Sequence, residues 1–232
     1  MRKKLAFLLG TRPEVIKLAP LIAAGGCDDA FDVTVISSGQ HDEMLRQALT
    51  VFGIEPAYDL ALMTREQTLT DITVRVLRGL EPLLARIAPD LLIVQGDTTT
   101  AFAGALAAFY QKIPVAHVEA GLRTWQRDLP FPEEMNRAMI ASLAELHFAP
   151  TPGARENLLA CGVAPEKIFV TGNTVIDALL SVDGGEEASS LLASVPEGAP
   201  VVLATAHRRE HHGPPLEEIA RAIRRIVETH PE

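Results

Sequence analysis

Short apolar runs alternate with longer segments over the first 150 residues, and this alternation constrains the fold more than any other feature of the sequence. Strand-length runs occupy residues 5–9, 32–37, 91–95 and 114–119, and an amphipathic or alanine-rich segment of helical length lies between each pair. Strands separated by helices pair in parallel, because the crossover returns the chain to the same end of the sheet. The sequence therefore predicts an α/β fold, a Rossmann-like parallel sheet with helices on both faces.

Three carboxylates stand at the ends of these predicted elements. Asp97 follows one strand, Glu119 ends the next, and Glu133 lies in the first turn of a predicted helix. The carboxyl ends of parallel strands share one edge of the sheet, where open α/β sheets bind ligands. Alternation along a strand also predicts that His117 and Glu119 face the same way. The sequence therefore predicts that the three acids converge on one crevice.

Each acid also has an ordinary structural explanation. Asp97 could cap a helix, Glu119 could be a solvated strand end, and Glu133 could be a first-turn acid matched to the helix dipole. The common crevice is favoured because the ordinary explanation would have to hold three times.

An anion site is predicted after the first strand, where the sequence is GTRPE. A strand, a glycine-containing turn and a helix N-terminus direct backbone N–H groups and the helix dipole at one point. Arg12 and Lys17 would add charge-assisted hydrogen bonds to a phosphate. Neither GxGxxG nor GxxxxGK[ST] occurs, so no dinucleotide fingerprint or P-loop is predicted. The alternative is a surface Arg and Lys beside an ordinary turn.

Composition excludes several other classes of protein. The net charge of −9 argues against non-specific nucleic-acid binding, which needs a basic surface. Cys27 and Cys161 lack the spacing of a zinc site or a disulfide framework. The apolar stretch near the N-terminus is too short for a signal peptide, and none is long enough to span a bilayer. A cytoplasmic protein is expected.

The 232 residues are long for one domain and short for two. Residues 1–180 are predicted to form one Rossmann-like domain, and the acidic, Gly- and Ser-rich residues 181–199 a linker. A new strand is predicted at 200–206, with His207 at its carboxyl end, and a helix at 216–229. One such unit cannot bury both faces of its strand, so residues 200–232 are expected to begin an incomplete second domain. His207, His211 and His212 raise the question of a metal, but too few further ligands lie nearby to favour one.

Six motifs together resemble the bacterial non-hydrolysing UDP-N-acetylglucosamine 2-epimerases. They are GTRPEVIKLAP, GQHDEML, QGDTTTAFAGALAAFYQKIPVAHVEAGLRT, FPEEMNR, TGNTVIDALL and TAHRRE. The resemblance spans essentially the whole chain, in order. It implies two Rossmann-like domains in the GT-B arrangement, with a nucleotide sugar in the cleft between them. It further implies interconversion of UDP-GlcNAc and UDP-ManNAc for cell-envelope polysaccharides, by a homodimer that uses neither metal nor nicotinamide.

The resemblance also implies roles for individual residues. The family's catalytic carboxylates correspond to Asp97, Glu119 and Glu133. Groups near the diphosphate correspond to Arg12, Lys17, Arg137 and His207, of which His207 is grouped with the catalytic residues. A second, activating UDP-GlcNAc site in parts of the family corresponds to Glu43, Gln47 and Arg65. The family's uridine-binding residues lie mostly beyond residue 232, so the resemblance implies that this chain is a fragment of the enzyme.

The chemistry makes demands that these side chains can meet. The C2–H of a hexose is not next to a carbonyl, so a carboxylate cannot simply remove it at neutral pH. If the C1–O bond to UDP breaks first, positive charge at C1 makes the C2 proton acidic, and its loss gives 2-acetamidoglucal. Re-addition of UDP and of a proton from the other face gives the epimer. This route needs cations for the departing UDP and carboxylates on both faces of the sugar.

Three rival functions remain open from the sequence. A GT-B glycosyltransferase would use the same cleft and UDP-sugar but would transfer the sugar to an acceptor. A hydrolysing epimerase would release free ManNAc. The chain could also bind the nucleotide sugar without turning it over.

Overall fold

The computed structural model describes residues 1–39, 43–62, 67–182 and 213–229. Single described positions between the last two ranges are residues 193, 195, 196, 198, 199, 201, 202, 204 and 206. The chain divides into two compact units, Met1–Val182 and Asp183–Glu232. The division into domains at 1–180, 181–199 and 200–232 stays a prediction.

A parallel sheet of seven strands, counted over the described residues, forms the centre of the first unit. The strands are β1 (Lys3–Leu9), β2 (Phe31–Ser37), β3 (Tyr58–Asp59), β4 (Leu91–Gln95), β5 (Val115–Val118), β6 (Leu146–Ala149) and β7 (Ile168–Val170). Their order is β3-β2-β1-β4-β5-β6-β7, and every neighbouring pair is parallel. The strand order reverses between β1 and β4, which is where doubly wound sheets open a crevice at their carboxyl edge.

Helices cover both faces of this sheet. They are α1 (Arg12–Cys27), α2 (Glu43–Val51), α3 (Leu69–Ile87), α4 (Thr99–Tyr110), α5 (Glu133–Leu143), α6 (Pro152–Ala160) and α7 (Val175–Ser181). One apolar core lies between the sheet and α3, α4 and α5, and a second between the sheet and α1 and α2. The alanine-rich α4 lies very close to β1, since a Cβ added at Gly104 would overlap the side chain of Leu8. The α/β architecture predicted from the sequence is confirmed.

Threonine caps fix two helix starts at the carboxyl edge of the sheet. Thr98 Oγ1 accepts a hydrogen bond from the Ala101 N–H at 2.9 Å and begins α4. Thr151 Oγ1 accepts one from the Ala154 N–H at 3.1 Å and begins α6. Each bond satisfies a backbone donor that has no partner within its helix. The first turns of α4 and α6 are thereby held directly after β4 and β6.

Two details of the sheet differ from prediction. The edge strand β3 was not predicted, because two residues are too few to show an alternating pattern. Strand β5 ends at Val118, one residue early, because Glu119 has a φ of 62° and leaves the extended conformation. Gly121 follows with a φ of 85°, and a Cβ there would overlap the Ala154 carbonyl oxygen of α6. The close approach of the chain to α6 therefore requires this sharp turn after β5.

The second unit is described mainly through one helix. Helix α8 (Pro214–Thr229) confirms the helix predicted at 216–229. The strand predicted at 200–206 is not seen at its described positions, Val201, Val202, Ala204 and Ala206. Among all the described helices, none has both the length and the apolar character needed to cross a membrane.

Candidate active site

Asp97 lies just beyond the carboxyl end of β4 and forms an ion pair with Arg137 of α5. Its Oδ2 lies 2.6 Å from Arg137 Nη2 and accepts a second hydrogen bond from Arg137 Nε at 2.7 Å. The backbone carbonyl of Asp97 accepts a hydrogen bond from Asn136 Nδ2 at 2.8 Å. Thr98, and not Asp97, caps α4. The ordinary explanation of Asp97 as a helix cap is therefore wrong.

Glu119 lies beyond the end of the neighbouring strand β5 and is held from two other elements. Lys17 Nζ of α1 lies 2.6 Å from its Oε2 and donates to its Oε1 at 2.8 Å. Asn173 Nδ2, from the loop before α7, donates to Oε2 at 3.1 Å. The Glu119 side chain is only 13% exposed, so it is not a solvated strand end. Since β5 stops at Val118, the alternation that related Glu119 to His117 does not reach it.

Glu133 is the first residue of α5, as predicted, and it differs from the other two acids in having no partner in the part of the chain that the structure describes. Its side chain is half-buried and makes no hydrogen bond or ion pair with any residue that the structure describes. Arg137, one turn further along the same helix, binds Asp97. The carboxylate of Glu133 is therefore left available at a helix start that is tied to the Asp97 loop.

The three acids thus belong to one edge of the sheet. Strands β4 and β5 are adjacent, with Gln95 opposite Val118, and the Gly96 N–H extends their ladder by donating to the Val118 carbonyl at 2.9 Å. Asp97 and Glu119 follow these two strand ends directly. Asn136 and Arg137 attach the first turn of α5, which begins with Glu133, to the same loop.

A fourth acid, Glu134, organises the loop before α5 and was missed by the sequence analysis. Its side chain is 1% exposed and accepts hydrogen bonds from Arg123 Nε at 2.7 Å, the Thr124 N–H at 3.0 Å and the Trp125 N–H at 3.2 Å. Arg137 Nη1 lies 3.4 Å from it on the other side. Burial acts to raise the pKa of Glu134, but these hydrogen bonds prevail and lower it below its ordinary value. The sequence gives no reason to separate the roles of Glu133 and Glu134, which are adjacent acids in one helical turn.

His117 is a buried neutral support for the same loop. It is fully buried on β5, and its Nε2 lies 2.7 Å from the Gly96 carbonyl oxygen, directly before Asp97. Burial lowers the pKa of His117 to about 4, so the imidazole is uncharged at neutral pH and donates through Nε2–H. His117 therefore fixes the backbone of the Asp97 loop.

The predicted anion site after β1 is built differently from expectation. The Gly10 N–H is not available to a ligand, because it donates to Oε2 of the buried Glu14 at 3.0 Å. Lys17 is engaged by Glu119. Arg12 is the first residue of α1; it is exposed and forms no ion pair or hydrogen bond within the described residues. Of the two cations predicted for this site, Arg12 is thus the one left without a partner among the described residues. Glu14 is a second buried acid that the sequence analysis missed.

The remaining predicted residues divide between a helix and positions outside the described chain. Glu43 and Gln47 are exposed on α2, four residues apart and hence on one face of the helix. Arg65 and His207 lie outside the described residues, as do His211 and His212, on which the question of a metal depended.

Comparison with known proteins identifies the family. The family model for UDP-N-acetylglucosamine 2-epimerase matches residues 26–232. The chain is 50% identical over 235 residues to the UDP-N-acetylglucosamine 2-epimerase of Escherichia coli K12, covering 98% of this chain and 62% of the relative. It is also 50% identical over 232 residues to the Salmonella typhimurium enzyme of the same name, covering 97% of this chain and 62% of that one.

A solved structure gives the same result. The UDP-GlcNAc 2-epimerase of Neisseria meningitidis bound to UDP-GlcNAc is similar with a TM-score of 0.89 and 42% identity, over 98% of this chain and 63% of that one. The predicted fold class, a Rossmann-like α/β sheet of a GT-B protein, is confirmed. The chain spans less than two thirds of the length of these relatives. Within that span, this chain belongs to the UDP-N-acetylglucosamine 2-epimerase family.

Proposed function

We propose that the protein interconverts UDP-GlcNAc and UDP-ManNAc by eliminating UDP to 2-acetamidoglucal and adding it back. Two acid–cation pairs at one sheet edge, Asp97 with Arg137 and Glu119 with Lys17, are the observation that carries this proposal. The relative from Neisseria meningitidis was solved with UDP-GlcNAc bound, which supports the choice of nucleotide sugar. The product would serve cell-envelope polysaccharide synthesis.

The pairing suits a reaction in which negative charge departs as positive charge grows on the sugar. Breaking the C1–O bond places charge on the diphosphate, which attracts Lys17, Arg137 and the exposed Arg12. A cation that turns toward the diphosphate uncovers its carboxylate partner, which can then accept the proton from C2. Each ion pair thus supplies one group for the leaving UDP and one for proton transfer.

The proposed roles follow from these positions. Asp97, Glu119 and Glu133 are the carboxylates that move protons on the two faces of the sugar. Arg12, Lys17 and Arg137 bind the diphosphate. A catalytic role for His207 rests on the family resemblance alone, since that residue lies outside the described chain.

Membership of the epimerase family favours this activity over glycosyl transfer. The test is to incubate UDP-GlcNAc in D₂O with the 232-residue chain and, in parallel, with a longer form that carries a complete second domain. Deuterium at C2 and the appearance of UDP-ManNAc are expected with the longer form. Product formation that needs an acceptor alcohol would indicate transfer, and accumulation of UDP with free ManNAc would indicate the hydrolysing reaction. Binding without turnover by both forms would leave only the nucleotide-sugar-binding function.

We further infer a homodimer, an activating UDP-GlcNAc site and a cytoplasmic location. Light scattering after gel filtration tests the dimer.

Glu43 and Gln47 share an exposed face of α2, and with Arg65 they would form the activating site. A double change to Ala at Glu43 and Gln47 is expected to remove activation by UDP-GlcNAc while leaving basal turnover. The cysteines Cys27 and Cys161 are both free and exposed, which suits a reducing compartment.

A further inference from the structure

The carboxylate of Glu14 joins two loops that meet at the reversal of strand order. Glu14 lies in the first turn of α1 and is 0% exposed. Its Oε2 accepts hydrogen bonds from the Gly10 N–H at 3.0 Å and from Thr11 Oγ1 at 2.7 Å, both in the loop after β1. Its Oε1 accepts one from Thr98 Oγ1 at 2.7 Å, in the loop after β4. A single buried side chain therefore connects the ends of the two central strands.

The loop after β4 is held at three successive residues, and Asp97 is the middle one. The Gly96 carbonyl is bonded to His117 Nε2 at 2.7 Å, and the Asp97 carbonyl to Asn136 Nδ2 at 2.8 Å. The hydroxyl of Thr98, next along the chain, is bonded to Glu14. The three partners come from β5, α5 and α1 and are all buried. The backbone of Asp97 cannot shift without breaking a buried hydrogen bond, which is costly.

We propose that Glu14 is a positioning residue, which acts through Thr98 to hold Asp97 in the place where it meets the sugar. This inference rests on the proposed epimerase activity and deepens it. Thr98 suits the connection because its hydroxyl donates to Glu14 while its oxygen accepts from the Ala101 N–H that begins α4. Displacement of Glu14 would therefore be transmitted to the residue that follows Asp97.

The chemistry of the site explains why a carboxylate is used. Burial raises the pKa of Glu14, because a buried charge is less stable than a solvated one. An uncharged side chain at this position would avoid that loss of stability. The donors arranged around it are two hydroxyls and a backbone N–H, and a carboxyl group offers them an acceptor oxygen on each of its two branches. A Gln would present its amide N–H₂, which cannot accept, either to the donors of Gly10 and Thr11 or to the hydroxyl of Thr98. The two loops would then be held by one end of the side chain only.

The test compares four single variants in a form of the protein that epimerises UDP-GlcNAc. Glu14→Gln and Thr98→Val each break the connection, and we expect each to lower kcat by about 10- to 100-fold with KM changed by less than about threefold. Thr98→Ser keeps the hydroxyl and should restore kcat. Thr151→Val is the matched control, because Thr151 caps α6 as Thr98 caps α4 but has no bond to Glu14. It should lower Tm as Thr98→Val does and leave kcat unchanged.

The double variant Glu14→Gln with Thr98→Val decides whether the two residues act as one unit. We expect its kcat to equal that of the single variant with the lower kcat, because either substitution alone already breaks the connection. Multiplicative losses, a kcat of Glu14→Gln within about twofold of the parent, or an effect confined to KM would each overturn the proposal. If Glu14→Gln does not fold, Thr98→Val and Thr98→Ser carry the same comparison.

A readout without turnover separates this proposal from the proposed function. Hydrogen exchange of the 232-residue chain should show faster exchange at the amides of residues 96–101 in Glu14→Gln, with residues 151–154 at the start of α6 unchanged. Unchanged exchange at 96–101 would overturn the positioning role even where epimerisation is found. Absence of epimerisation in the parent protein would instead refute the proposed function.

Discussion

Lys17 and Glu119, 102 positions apart in the chain, form an ion pair at the carboxyl edge of the sheet, with Nζ 2.6 Å from Oε2. Their side chains are 22% and 13% exposed. The pair brings a cation of α1 against an acid that follows β5. Two groups expected to act on different parts of a nucleotide sugar therefore lie in contact, and each holds the other in place.

Lys17→Met is expected to cost more stability than the loss of a surface ion pair. Removing the cation leaves the largely buried Glu119 carboxylate short of a partner, at a cost of about 1–3 kcal/mol in the free energy of unfolding. Lys167→Met is the matched control, because Lys167 pairs with Glu145 at 3.0 Å on the surface, where such a pair contributes less than about 1 kcal/mol. Urea unfolding of both variants measures the difference. Equal losses would show that the Lys17–Glu119 pair is no stronger than a solvated one.

Glu133→Gln is expected to lower kcat and Glu134→Gln to lower stability, although the two residues are adjacent. Glu133 has no partner among the described residues, so its change to Gln should alter the free energy of unfolding by less than about 0.5 kcal/mol. As a proton-transfer group, however, it should lower kcat by about 10²- to 10⁴-fold. Thermal unfolding and turnover are measured on the same samples.

For Glu134→Gln the expected loss is one of stability, because Arg123 would lose its charged partner in a buried position. A Tm drop for Glu133→Gln as large as that for Glu134→Gln would favour the view that Glu133 merely matches the helix dipole.

Arg12→Ala is expected to weaken UDP binding while leaving stability unchanged. Arg12 is exposed at the start of α1 and makes no bond within the described chain, so the fold loses nothing with it. A lost charge-assisted contact to a phosphate should raise Kd by about 10-fold or more. Calorimetry with UDP measures the change, and Arg155→Ala, which removes a partly exposed arginine paired with Glu156, serves as the control. Equal affinities of parent and Arg12→Ala would remove the anion site.

The protein should lose stability as the pH falls from about 6.5 to about 4, in part because of His117. Burial lowers the pKa of His117 from 6.5 to about 4, so over this window the unfolded chain binds a proton that the folded chain does not. The contribution of His117 to the free energy of unfolding is full above the pKa of the unfolded chain. It declines by about 2 kcal/mol between pH 7.5 and pH 5. His147, whose pKa is also lowered by burial, acts in the same direction.

His117→Gln isolates that contribution, because it keeps a donor near the Gly96 carbonyl but does not titrate. The difference in unfolding free energy between parent and variant should shrink by about 2 kcal/mol from pH 7.5 to pH 5. Parallel pH dependences would mean that His117 is not held neutral by burial.

Much of the site's placement follows from local sequence patterns. The apolar runs that became β4 and β5, and the Pro-Glu start of α5, put Asp97, Glu119 and Glu133 at element ends, and a parallel sheet brings such ends to one edge. Local pattern could not foresee the left-handed backbone of Glu119 or the two-residue strand β3. Both depend on what the chain meets after the strand, namely α6 and the edge of β2.

The sequence by itself determined the parallel fold, the identity of the three acids and the family. Only the tertiary structure decided which acids are paired and which are not: Glu133 is half-buried with no partner among the described residues, Glu134 is enclosed by Arg123 and Arg137, and Glu14 joins two loops. Periodicity records which face of an element is apolar, because that choice is repeated every turn or every second residue. The contact between a buried carboxylate and its partner is a single one and leaves no repeating pattern in the sequence. The partner lies in a distant part of the chain and is fixed only when the elements pack.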